Sequence, residues 1–120
     1  MSDTADPSSG QQTLTLQQAL DLAVKHHTAG ELQQAENIYN QILEADPNQP
    51  QALHLLGVIA HQRGQNEEAV ELIEKAISVK SDFAEAHINL GLALYEIDRV
   101  DEAVIHYRKA LVLNPGYAEA

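Results

Sequence analysis

Pro50 to Lys80 reads PQALHLLGVIAHQRGQNEEAVELIEKAISVK, and its apolar spacing decides the architecture. Before Gly64, the residues Leu53, Leu56, Val58 and Ile59 recur at helical intervals, and after it Ala69, Val70, Ile73, Ala76 and Ile77 do the same. A half-buried strand would alternate apolar and polar residues, whereas this spacing lines one face of an α-helix. Gly64 falls between the two segments, where a left-handed residue must turn the chain. The reading is helix, tight turn, helix. A lone hairpin of this size cannot bury its apolar face, so it requires neighbours.

The neighbours are copies of itself. Leu56-Gly57 recurs 34 positions on as Leu90-Gly91, and Glu68-Ala69-Val70 recurs as Glu102-Ala103-Val104 at the same offset. Counted 34 positions back, Leu56 falls on Leu22, Gly64 on Gly30 and Ala69 on Ala35. Helix-turn-helix units at this period resemble the tetratricopeptide repeat. The resemblance covers nearly everything after Thr15 and implies an all-α fold. Three stacked repeats, about Leu16–Gln49, Pro50–Phe83 and Ala84–Tyr117, would form a short right-handed solenoid.

Residue by residue, the family's small positions are held by Ala23, Gly57 and Gly91 in the first helices and by Ala35, Ala69 and Ala103 in the second, followed by Ala76 and Ala110. Its large positions are held by Leu22, Leu56 and Leu90, then by Tyr39, Ile73 and Tyr107. The closing proline stands at Pro47 and Pro115, but Ser81 replaces it in the middle repeat, and Ile42 replaces a usual Ala. The aromatic positions of the first helices hold Ala19, Leu53 and His87, then His26, Ala60 and Leu94. Smaller fillers between helices imply modest stability rather than a different fold.

Local signals place the elements. Thr15 and Gln18 have the spacing of a capping box at the start of the first helix. Gly30 and Gly64 supply left-handed turns, and Asp98 takes that role in the third repeat, a conformation Asp tolerates better than most residues. Asp46-Pro47 and Asn114-Pro115-Gly116 stop the helices before them. Asn66 is the expected cap of the fourth helix, with Lys75 and Lys80 toward the negative end of its dipole. Residues 1–14, small and polar with nothing to anchor them, are expected to form a disordered tail before one repeat domain over residues 15–117. Residues 118–120 repeat the opening of the third unit and read as the start of another. The face around Val104, Tyr107 and Leu111 would then need either further repeats of a longer protein or a second copy of the chain to cover it.

Composition excludes several functions. A chain of 120 residues with net charge −11 and only seven Lys and Arg, scattered singly or in one pair, lacks the basic cluster that nucleic acid or an anionic membrane requires. It has no cysteine, so disulfides, thiolate nucleophiles and sulfur-ligated zinc are ruled out. The N-terminus has no apolar run, and a cytoplasmic location is the default expectation. Six histidines invite a metal or catalytic reading, yet none forms the i, i+4 pair that binds zinc on one helix face. His87 reads as a ring packed between helices. No nucleophile motif or phosphate-binding loop accompanies the histidines, so no enzyme activity and no cofactor are expected. Glu67, Glu68, Glu71 and Glu74 read as a solvated helix face, with Glu71 and Lys75 as an i, i+4 pair.

The resemblance also implies where a partner sits, because the family lines its concave wall with the first helix of each repeat. The first repeat would contribute Leu20, Asp21, Val24 and His27, and the second His54, Leu55, Val58 and His61. Ile88, Asn89, Leu92 and Tyr95 would come from the third. They make an apolar strip with polar edges, a surface suited to a protein or peptide partner. Members that grip a terminal carboxylate use Lys, Asn and Arg where this chain has Leu20, Val24, Leu55, Glu85 and Asn89; only Asn89 fits, and Glu85 would repel the carboxylate. O-linked N-acetylglucosamine transferases place asparagines along the groove, where Asn89 matches and Asp21 and Leu55 do not. ALHLLGVIAHQRG and AEAHINLGLALYE are also similar to repeats that precede a glycosyltransferase domain in bacterial proteins. The leading expectation is a non-catalytic interaction module. A substrate-recruiting arm of a glycosyltransferase and a self-assembling scaffold are the alternatives.

Overall fold

A computed structural model describes residues 14–116, so the expected tail lies almost entirely, and the expected opening of a further repeat wholly, outside the described residues. Six helices follow in order: α1 (Leu16–Thr28), α2 (Leu32–Ala45), α3 (Pro50–Gln62), α4 (Asn66–Val79), α5 (Ala84–Glu96) and α6 (Val100–Leu113). No strand occurs among the described residues. α1 packs on α2, α3 on α4 and α5 on α6, and the hairpins stack through α2 on α3 and α4 on α5.

Turn chemistry repeats with the helices. Gly30 and Gly64 adopt φ of 82° and 78°, and Asp98 joins them at 66°. After α1, the Gly30 N–H donates to the His27 carbonyl and the Glu31 N–H to the His26 carbonyl, the paired bonds of a Schellman turn. The pattern recurs as Gly64 to His61 with Gln65 to Ala60, and as Asp98 to Tyr95 with Arg99 to Leu94. At the start of α1, the Gln18 N–H donates to Thr15 Oγ1 at 3.1 Å, while the Thr15 N–H donates to Gln18 Oε1 at 2.9 Å. That capping box is as expected. The cap of α4 is not: Gln65 is the flanking residue, and Asn66 is the first helical one, its Oδ1 buried without a hydrogen-bond partner. The tight turn through Gly64 carries the chain into the helix one residue sooner than a capping Asn66 allows. The Glu71–Lys75 pair is not formed either; ion pairs among the described residues join Arg63 to Glu36 and Arg99 to Glu102, and His26 Nδ1 lies 2.6 Å from Glu31 Oε1.

The small positions serve close packing. A Cβ on Gly57 would lie 2.6 Å from Ile73 Cγ1, and one on Gly91 would lie 2.4 Å from Tyr107 Cε1. Ala23, Ala35, Ala69, Ala76 and Ala103 are completely buried, so backbone meets side chain at each of these sites. Tyr39 is also completely enclosed, its hydroxyl without a partner and its pKa pushed up to about 12 by burial.

Candidate functional site

The first helices of all three hairpins line one groove of about 500 Å³. α1 contributes Gln17, Leu20, Asp21 and Val24, and α3 contributes Gln51, His54, Leu55 and Val58. α5 adds Glu85, Ile88 and Asn89, and Phe83 closes the groove from the turn that precedes it. These side chains point inward together because residues three and four apart share a helix face. Stacking the hairpins then sets three such faces side by side. Leu20, His54 and Phe83 are nearly buried and form the floor; Leu55, Val58 and Ile88 are half-buried along the walls.

His54 organises the floor. Its ring meets Phe83 edge-on, with centroids 4.7 Å apart. The Asn89 Nδ2–H donates to His54 Nε2 at 2.8 Å, so the imidazole accepts there and carries its proton on Nδ1. Burial pushes the His54 pKa down to about 4, which keeps the ring neutral at physiological pH. With its amide N–H directed at His54, Asn89 has its carbonyl oxygen available to the groove. The charged side chains in the lining are Asp21 and Glu85, and no Lys or Arg lies among them.

Eight of the expected residues line this groove: Leu20, Asp21, Val24, His54, Leu55, Val58, Ile88 and Asn89. The other four, His27, His61, Leu92 and Tyr95, lie outside it, toward the C-terminal ends of the same helices. His27 Nε2 is 2.7 Å from Gln62 Oε1, a bond that ties the end of α1 to the end of α3. Leu92 and Tyr95 are exposed. The expected lining stopped one helical turn short at the other end, where Glu85 alone was weighed, as a carboxylate-gripping position: Gln17, Gln51 and Glu85 occupy equivalent positions 34 residues apart and rim the groove. Extending the lining face by one turn would have found them. Phe83, in a turn, had no such signal.

Helical spacing along the sequence also could not show that His87 and His106 meet across the α5–α6 hairpin, with Nδ1 atoms 2.9 Å apart and rings stacked at 5.2 Å. His87 Nε2 lies 3.0 Å from the Ser81 carbonyl, which can only accept, so Nε2 carries a proton. In the neutral pair His87 Nδ1 then accepts from the His106 Nδ1–H. The pair is a closed polar contact inside the hairpin, as the packed-ring reading of His87 expected. Among the described residues no group of three or more His, Asp or Glu is placed to hold a metal ion.

Stacked helical hairpins with a groove lined by every first helix define a helical-repeat protein. The tetratricopeptide repeat model matches residues 20–83 and 62–118, and the chain belongs to that family. It is 28% identical over 100 residues to the DnaJ homolog subfamily C member 3 of Mus musculus, covering 83% of this chain and 20% of that protein. The chain therefore spans a fifth of the length of the first curated relatives it matches. Among solved structures, the O-GlcNAc transferase of Thermobaculum terrenum superposes with a TM-score of 0.82 at 26% identity, over 88% of this chain and 21% of that one. The second TPR of Spaghetti (RPAP3), bound to the HSP90 peptide SRMEEVD, superposes with a TM-score of 0.76 at 19% identity, over 80% of this chain and 89% of that one, a likeness of fold. Among the described residues no helix is long and apolar enough to cross a membrane.

Proposed function

We propose that the chain is a non-catalytic protein-interaction module, part of a longer repeat protein, which holds an extended peptide or protein segment in its concave groove. The observation that carries this reading is that one groove of about 500 Å³ runs across the first helices of all three hairpins. Apolar side chains of the segment would sit against Val24, Leu55, Val58 and Ile88, and a segment N–H would donate to the Asn89 carbonyl oxygen. Asp21 and Glu85 favour a neutral or basic segment. The Spaghetti repeat is bound to an acidic peptide, and a lining without Lys or Arg does not suit that chemistry. Selection from a displayed library of unstructured peptides tests the reading. Apolar sequences free of acidic residues should be enriched and should bind the Val24→Glu variant at least about tenfold more weakly, as loss of a buried apolar contact requires. Non-acidic clones that are all indifferent to Val24→Glu would overturn it.

The likeness to the Thermobaculum terrenum transferase favours a second reading, in which this groove recruits protein substrates for a glycosyltransferase domain on the same polypeptide. The full-length gene product decides it: a downstream nucleotide-sugar domain supports this arm, and its absence removes it. Self-assembly through the face of Val104, Tyr107 and Leu111 is a third reading, removed by a solution mass that stays monomeric as concentration rises.

A further inference from the structure

The outer faces of the second helices differ sharply along the array. Positions related by 34 residues carry Asn37, Asn40 and Glu44 on α2, and Glu71, Glu74 and Ser78 on α4. On α6 the same three positions carry Ile105, Arg108 and Val112. All nine side chains are exposed. α2 and α4 each have a following hairpin packed against them, so stacking a further repeat on α6 does not cover this stripe. Ile105 is 50% and Val112 80% exposed, at positions where the other repeats place polar groups.

The stripe forms one wall of a cleft of about 540 Å³ bounded by α4, the turn after it, α5 and α6, lined by Ile77, His87, Ile105, Arg108, Val112 and Leu113. Lys109 stands at its edge next to Arg108, the chain's one pair of adjacent basic residues against a net charge of −11. Neither makes an ion pair among the described residues.

We infer that this convex cleft is a second docking site, separate from the concave groove, and that it takes an acidic amphipathic segment of another protein. Apolar side chains of the segment fill the cleft against Ile105 and Val112, while its carboxylates reach Arg108 and Lys109. Charge selects this occupant over the others. Antiparallel pairing of α6 with a second copy would centre on Arg108 and Lys109 and bring like charges together. The acidic α4 face of a second copy offers Glu71, Glu74 and Ser78, with nothing apolar to enter the cleft. An anionic membrane reaching Ile105 and Val112 would also meet that α4 face and a chain of net charge −11.

Selection from a displayed library of helical peptides tests the inference on the full 120-residue chain. The comparison protein carries Ile105→Glu and Val112→Ser, the residues that α4 has at these positions, so its fold should persist, as circular dichroism can verify. Enriched clones should combine apolar residues at helical spacing with Asp or Glu. They should bind the double variant at least about tenfold more weakly, lose affinity with Arg108→Glu, and keep it with Val24→Glu. Among clones that bind Val24→Glu as tightly as the wild type, ones that are basic, or that bind the double variant equally well, would overturn the inference. So would a wild-type dimer in light scattering that the double variant abolishes, which assigns the cleft to a second copy. Sedimentation with phosphatidylserine vesicles that the double variant prevents would assign it to a membrane and overturn it as well.

Discussion

The second and third hairpins share turns, helix lengths and small-residue positions, yet they differ where those constraints relax. Leu53 and Leu72 of the second correspond to His87 and His106 of the third, and Ile73 against Gly57 corresponds to Tyr107 against Gly91. The polar stripe of α4 becomes apolar and basic on α6. Positions that build the solenoid tolerate little change because a Cβ or a missing left-handed residue is felt at once. Positions that only face solvent or fill a hairpin can diverge.

The largest effect expected belongs to His54, in the second hairpin only; its counterparts are Leu20 and Ile88. Its folded pKa of about 4 lies below the ordinary value of 6.5, so between those values the unfolded chain binds more protons and stability falls as pH falls. Fully developed, a shift of this size is worth about 3 kcal/mol. Urea denaturation at pH 7 and pH 4.5 should show a large part of this loss, and His54→Leu should remove most of it. Burial and the neighbouring His87 also lower the His106 pKa, which adds a loss of the same sign.

The histidine pair gives the next effect. His106→Leu alone strands the buried His87 Nδ1 and should destabilise by about 1–3 kcal/mol, whereas His87→Leu with His106→Leu recreates the second hairpin's chemistry and should be close to neutral. A double-mutant cycle by urea denaturation measures the coupling, and additive single effects would dissolve the pair. Gly57→Ala should cost more than Gly91→Ala, within the roughly 1–3 kcal/mol range of overpacking. Ile73 is fully buried and its Cγ1 sits close to its own backbone, while the Tyr107 ring is only partly covered and can swing. Equal shifts in Tm for the two variants would contradict that difference. Smallest of all, Ile105→Glu should change stability by less than about 0.5 kcal/mol, because α4 already carries Glu71 there.

Much of this architecture was legible because local rules and the repeat agree. Gly30, Gly64 and Asp98 mark the turns, and Thr15 with Gln18 marks a helix start. Asn66 misled because good capping chemistry was outweighed by turn geometry set one residue earlier. The concave face was legible as a register, so Leu20, His54 and Ile88 fell together, while its extent was not: helix ends carry no mark of where a groove stops. Contacts across a hairpin, such as His87 with His106 or Asn89 with His54, depend on packing angles that spacing along the chain does not encode.

The most direct measurement is an NMR titration of the isotope-labelled chain with a peptide selected for groove binding. Amide and methyl shifts should concentrate at Val24, Leu55, Val58, Ile88 and Asn89, with the His54 ring protons moving as its Asn89 contact adjusts. Shifts confined to α2, α4 and α6, with the first helices silent, would contradict the groove as the site of partner binding.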